Sequence, residues 1–307
     1  MIKQLFTDKG KSAREWFTEG CRYESDPAQI EKAIAAYREC IKLRPSFSDA
    51  SVHLGFLYLR IKEHEEALIC FQRVVDLAPD NAAAYGNLAF AYEKMERFGS
   101  ARQMYERALE LNPRDFETTF NIARIYELEG NYHGAVAQYR KAIEMAPLEV
   151  APHFSLAVLY DRHDMFDEAM AEYEVTLGID PYHVQALLKM GNLLLQEGKH
   201  REALLYYKRL LVIEGGDGEA WNNLGSTYEE MGSYGRAESC YRHALSTDPY
   251  AERANVSLAR VQVLRHRVNP AAAEKADIVK RLSFVLSVNP NNTQAEKLLR
   301  EIEQADG

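Results

Sequence analysis

Along the stretch that begins at Ala82, apolar residues fall at Tyr85, Leu88, Ala89 and Tyr92, then after a polar break at Ala101, Tyr105 and Ala108. Spacings of three and four within each block predict two amphipathic helices, joined by a short turn around Glu96-Arg97-Phe98. The small residues Ala89 and Ala101 stand where two helices approach closely, and the rings of Tyr92 and Tyr105 fill the space beside them. Pro113 ends the second helix, because a proline cannot continue the hydrogen-bond ladder.

The same two-block pattern recurs. Pro45, Pro79, Pro113, Pro147 and Pro181 follow at 34-residue intervals, Gly215 takes the next place, and Pro249 resumes the grid. A helical hairpin of this size cannot bury its apolar stripe alone and must stack on copies of itself. The repeat has Leu54-Gly55, Tyr58, Ala67, Phe71 and Pro79 in one copy and Ile122-Ala123, Tyr126, Ala135, Tyr139, Ala142 and Pro147 in another. A third has Leu156-Ala157, Tyr160, Ala169, Tyr173 and Pro181; the fullest has Trp221, Leu224-Gly225, Tyr228, Ala237, Tyr241, Ala244 and Pro249. This pattern resembles the tetratricopeptide repeat. The expected fold is all-α, a right-handed α-solenoid (superhelix) of stacked helix-turn-helix units. Eight units are expected at 13-47, 48-81, 82-115, 116-149, 150-183, 184-217, 218-251 and 252-290, after a lead segment 1-12 and before a solvating capping helix in 291-307.

Three units depart from the pattern. The first needs one extra residue in the turn at Glu24-Ser25-Asp26-Pro27. The sixth has Gly215-Gly216-Asp217-Gly218 in the proline's place, which predicts a left-handed glycine cap and a softer junction. In the eighth, Asn269-Pro270 reads as an N-cap and first helical residue, and both helices should be longer. Thr293-Gln294-Ala295-Glu296 reads as a capping box opening the last helix, with Leu298, Leu299 and Ile302 to bury.

The 307 residues carry a net charge of −9, which argues against a phosphate-binding surface, so no nucleic acid is expected. No apolar run is long enough to span a bilayer and the start lacks a secretory apolar core, so no membrane insertion and a cytoplasmic location are expected. Cys21, Cys40, Cys70 and Cys240 lack metal-like spacing and fit packed, reduced thiols. Nine histidines are scattered without a His-Glu-x-x-His, and the glycines at 215–218 follow a helix and lack the Lys-Ser/Thr of a phosphate loop. The chain is expected not to be an enzyme and to need no cofactor or metal.

The resemblance implies that the first helix of each unit lines a concave groove for a partner. The sixth position of each unit then gives His53, Asn87, Asn121, Ser155, Lys189, Asn223 and Ser257. Amides at Asn87, Asn121 and Asn223 could bind the backbone of an extended peptide, or bond neighbouring helices instead. Phe56 and Phe90 at the ninth position, with Phe120 and Phe154 at the fifth, are expected to cluster as apolar anchors, or to complete contacts between first helices. Arg60, Lys94, Arg124 and Arg162 border them among Glu93, Glu127 and Asp161. Glu219, Glu229 and Glu230 predict an acidic stretch further on, or a solvated face. Asn192, Asn223 and Arg253 match part of the carboxylate clamp of tetratricopeptide co-chaperones, with Leu188 and Ser257 in two of its basic positions. The function expected is a scaffold or adaptor binding an extended or short helical segment of another protein. The alternatives are a self-assembling homo-oligomer, in which the N-terminal segment with Ile2, Leu5 and Phe6 enters a neighbouring groove, and a co-chaperone with an incomplete clamp.

Overall fold

The computed structural model describes residues 11–268 and 275–304, which form seventeen α-helices and one 3-10 turn, with no strand among the described residues. The helices follow the hydrophobic pattern in pairs: α1 (Ala13–Glu24) and α2 (Ile30–Leu43), α3 (Ser48–Arg60) and α4 (His64–Leu77), α5 (Ala82–Lys94) and α6 (Phe98–Leu111), α7 (Phe116–Leu128) and α8 (Tyr132–Met145). Then come α9 (Val150–Arg162) and α10 (Phe166–Ile179), α11 (Val184–Gln196) and α12 (His200–Ile213), α13 (Gly218–Glu230) and α14 (Tyr234–Thr247), α15 (Glu252–Val268) and α16 (Lys275–Val288), and α17 (Thr293–Gln304). The chain divides into two compact units, 1–152 and 153–307. Each is an all-α solenoid segment in which a helix packs on the helices next to it in the chain.

One aromatic ring in each of the first seven pairs anchors the core, and in the eighth Ile278, Leu282 and Val285 fill it. In the first unit Tyr37, Phe71, Tyr105 and Tyr139 are buried, and in the second Tyr173, Tyr207 and Tyr241. These seven positions are 34 residues apart. Each ring buries about 150–250 Å², the largest single apolar contribution a residue makes here. The facing first-helix position is glycine or alanine because the ring allows little else. A Cβ on Gly55 would come within 2.7 Å of Phe71, and one on Gly225 within 2.6 Å of Tyr241.

The turn inside each pair obeys a second grid that the sequence pattern did not reveal. Lys62, Glu96 and Gly130 in the first unit, and Asp164, Gly198 and Gly232 in the second, all take positive φ. The residue after each donates its N–H to a carbonyl five residues back, as Glu63 does to Tyr58 at 2.9 Å and Ser233 to Tyr228 at 2.8 Å. This closes the helix end with a left-handed residue, a conformation that costs a non-glycine roughly 1 kcal/mol.

The turn at Gly215 differs from the expectation. Gly215 is not among the left-handed residues. Its carbonyl accepts the Trp221 indole N–H at 2.8 Å, as the Pro249 carbonyl accepts Asn255 at 3.1 Å and the Pro79 carbonyl accepts Tyr85 at 3.2 Å. The side chain six residues on holds the glycine in the turn that proline occupies elsewhere.

At the ends, Ser12 caps α1 in a reciprocal box with Glu15, and Asp26 caps the 3-10 turn Pro27–Gln29, which takes up the extra residue. The last cap falls one residue earlier than expected: Asn292, not Thr293, accepts the Ala295 N–H at 2.8 Å, and Thr293 is already helical. Ala295, Leu298 and Ile302 bury against α15 and α16. At 17 residues α15 is longer than the other first helices, as expected, whereas α16 over its described residues has the 14 of the other second helices. The expected cap at Asn269-Pro270 lies outside the described residues, as does most of the lead segment, including Ile2, Leu5 and Phe6.

Candidate interaction surface

Each first helix offers three positions that decide what its outer face does: the sixth, the ninth and the twelfth. The twelfth is coupled to the core ring. Its carboxylate in the first unit is Glu24, Glu93 or Glu127, and it accepts the ring hydroxyl of the same pair: Tyr37 to Glu24 at 2.7 Å, Tyr105 to Glu93 at 3.4 Å, Tyr139 to Glu127 at 2.7 Å. Leu59 occupies the twelfth position of the second pair, and there the core ring is Phe71, which has no hydroxyl to satisfy. In the second unit Glu229 accepts from Tyr241 at 2.7 Å. Leu195 leaves the twelfth position of α11 without an acceptor, and Tyr207 donates at 2.6 Å to Asn192, one turn earlier. A buried hydroxyl favours an acceptor, so ring and partner mostly change together; the exception is Tyr173, whose buried hydroxyl makes no hydrogen bond to a described residue. Burial, reinforced by the carboxylate, pushes the hydroxyls of Tyr37 and Tyr105 far above the ordinary phenol range.

Cations from the next pair then neutralise these carboxylates. In the first unit Arg124 reaches the 7 % exposed Glu93 at 3.0 Å, while its other nitrogen approaches the Asn121 amide oxygen at 3.5 Å. In the second unit Arg260 closes on Glu229 with two bonds, 2.5 and 2.9 Å, and Lys189 meets Asp161 at 3.0 Å. Arg124 and Arg260 are both ninth-position residues. That position therefore stitches one pair to the previous one wherever it is arginine.

In α3 and α5 the ninth position is phenylalanine. Phe56 and Phe90 meet at 6.4 Å between ring centroids, and Phe56 sits edge-on to the buried Phe71 at 5.2 Å. Both rings remain partly exposed, Phe56 at 36 %. The Lys94 ammonium lies 4.8 Å over the Phe90 ring. Asn87, half-exposed one turn before Phe90, makes no side-chain hydrogen bond to a described residue. Phe120 stacks on Phe116 at 6.2 Å and tilts against Tyr139 at 5.8 Å. The four expected phenylalanines thus do not act as one set: Phe56 and Phe90 pair, whereas Phe120 leans on its own hairpin. In the second unit Phe154 leans on Tyr173 and His183, at 5.9 and 4.6 Å, and Arg162 is exposed at the end of α9.

The second unit overturns several expectations for this face. Asn223 is 2 % exposed, and its Nδ2 donates to Asn192 Oδ1 at 2.9 Å. The Asn192 oxygen accepts from both Asn223 and Tyr207, so these groups join neighbouring helices; Asn223 is sealed from a peptide or a carboxylate clamp, whereas Asn192 itself is half-buried. Ser257 is buried as well. Of the acidic stretch expected at Glu219, Glu229 and Glu230, Glu229 is neutralised by Arg260. In the sixth column of the first unit, His53 is engaged by Glu24 at 2.8 Å and stacks on Tyr37. Arg253 is exposed and lines a polar depression of about 520 Å³ with Ser226, Glu252, Ser257, Arg260 and Asn292. Among the described residues no three His, Cys, Asp or Glu side chains come together as a metal site, and no helix is long and apolar enough to cross a membrane. The four cysteines are free; burial pushes the thiols of Cys70 and Cys240 up to about 11.

Solved structures with the same kind of fold come from several bacteria. The C-terminal part of a TPR repeat-containing protein from Cytophaga hutchinsonii superposes with a TM-score of 0.66 at 15% identity, covering 79% of this chain and 99% of that one. PilF of Pseudomonas aeruginosa gives 0.58 at 19% identity over 69% of this chain and 97% of its own. A tetratricopeptide repeat protein from Parabacteroides merdae gives 0.57 at 18% identity over 82% and 99%. No curated protein matches the chain. Four tetratricopeptide repeat profiles match it, at residues 47–114, at 87–148 and 129–184, at 28–47 and 218–250, and at 186–219. With the ring, small-residue and turn columns already traced through both units, they establish that the chain belongs to the tetratricopeptide repeat family.

Proposed function

We propose that this protein is a noncatalytic interaction scaffold that holds an extended segment of a partner protein across the first helices of its first unit. Protein–protein interaction is the general role of the family. The observation that carries the finer reading is the α3–α5 face, where the inter-pair stitch is replaced by two partly exposed phenylalanines beside an unengaged amide. Phe56 and Phe90 offer an apolar anchor site, and the Asn87 amide offers one donor and one acceptor to a peptide backbone. Lys94 over Phe90 supplies positive charge that orients the ligand more than it tightens binding.

The test uses peptides selected from a random display library on the purified chain, titrated calorimetrically. Phe90→Ala and Asn87→Ala should each weaken the selected peptides by about tenfold, roughly the loss of one anchor or one satisfied amide. Asn192→Ala, in the second unit, should leave their affinity unchanged. Equal binding to the double variant Asn87→Ala/Phe90→Ala would remove this site from consideration.

A further inference from the structure

The second unit carries an apolar depression on its other side, where α12 and α14 flank α13. It has a volume of about 560 Å³, and its floor and walls include Leu211, Val212, Trp221 and Tyr228. Val212 is 87% exposed at the rim. Trp221 is held rigidly by its bond to the Gly215 carbonyl and by stacking on His243 at 4.5 Å. A preset aromatic wall of this kind loses little entropy when something docks against it.

Two cations bound the depression, one on each flanking helix. Lys208 and Arg236 are both exposed, and each faces the Tyr228 ring, at 6.0 and 5.6 Å. Neither forms an ion pair with a described carboxylate. The corresponding gaps elsewhere show how unusual this is. In the first unit the same two positions are Arg38 with Glu66, Gln72 with Ser100, and Glu106 with Gly134; earlier in the second unit they are Glu174 with Glu202. Of these gaps only the one between α12 and α14 has two positive residues, on a chain whose net charge is −9. Val212 is exceptional in the same way, since its counterparts are Lys42, Asp76, Glu110, Glu144 and Gly178.

Scattered exposed apolar residues are ordinary on a soluble surface, but an apolar depression joined to uncompensated charge of one sign favours a ligand of the opposite sign. We propose that this gap is a second docking site, distinct from the first-helix face, for an acidic segment of a partner protein with one large apolar side chain. The apolar side chain enters between Val212 and Trp221, and flanking carboxylates pair with Lys208 and Arg236.

Trp221 provides the readout. In a Trp16→Phe background it is the sole tryptophan, so its emission reports on the depression directly. The probe is a capped synthetic peptide, Asp-Glu-Gly-Phe-Glu-Asp, compared with its counterpart in which every acid is lysine. The acidic peptide should change Trp221 emission saturably, with an affinity that falls as salt rises, and the lysine peptide should not. Lys208→Glu/Arg236→Glu should weaken the acidic peptide by at least about tenfold, and Val212→Asp should do the same, while Phe90→Ala should leave it unchanged. All three substituted positions in the second unit are exposed, and circular dichroism melts confirm that the variants fold. Unsaturable emission at millimolar peptide, equal binding of the lysine peptide, or undiminished binding by the charge-reversed variant would each overturn the proposal. So would concentration-dependent dimers abolished by Val212→Asp, which would assign the surface to a second copy of this chain.

Discussion

The ninth position of the first helix is phenylalanine in α3 and α5 and arginine in α15, and the surfaces around these residues behave oppositely. In the first unit Phe56 and Phe90 leave their faces partly open and Asn87 unengaged. In the second, Arg260 locks Glu229, and the Asn192 oxygen accepts from both Asn223 and Tyr207, so these groups are spent on neighbouring helices. One scaffold position can thus either join consecutive hairpins or present a side chain to a ligand.

The strongest way to break this comparison is to remove the stitch. Arg260→Ala should destabilise the protein by about 2 kcal/mol in urea unfolding, because it strips a largely buried carboxylate of two charge-assisted bonds and leaves only the Tyr241 hydroxyl. Phe90→Ala should cost under about 1 kcal/mol, since the ring keeps much of its surface in water. If the two losses are equal, Phe90 is structural and the contrast fails. A smaller effect sharpens the coupling between ring and acceptor. Phe71→Tyr should cost about 1–2 kcal/mol because the new hydroxyl meets Leu59 where other pairs have a carboxylate, and adding Leu59→Glu should recover most of it. Independent losses in that double-mutant cycle would show that the two positions do not communicate. The smallest effect belongs to a feature both units share. Gly198→Ala should cost about 1 kcal/mol through backbone strain alone, since a Cβ there would touch nothing, and Glu96→Gly should gain a similar amount. Calorimetric melting of both variants checks the pair, and an unchanged melt for Gly198→Ala would mean that the left-handed turn relaxes at no cost.

The helices and their boundaries could be read from the residues because apolar periodicity and the proline grid are local signals. Tyr105, Ala89 and Pro113 each announce a position in the hairpin without reference to any other hairpin. What could not be read is whatever depends on the neighbouring pair. Asn87 and Asn223 occupy the same register, yet one is unengaged and the other is sealed, because the deciding residue is Asn192, 31 positions before Asn223. Arg124 reads as one of the charges bordering the groove until Glu93, from the preceding first helix, is placed beside it. The register did hold usable information in the covariation of Leu59 with Phe71 and of Glu229 with Tyr241, which appears only when columns are compared. Gly215 misled for a related reason: glycine permits a left-handed turn but does not require one, and Trp221 settles which turn forms. The true left-handed column was hidden because half of it, Lys62, Glu96 and Asp164, is not glycine.

Within each unit, a helix finds its partners among the next helix or two along the chain, so no contact waits for a distant segment of the polypeptide. Loop-closure entropy is then nearly the same for every hairpin. During synthesis, each hairpin within a unit can bury its aromatic ring as soon as the following one leaves the ribosome, and little apolar surface needs to wait uncovered for the end of translation.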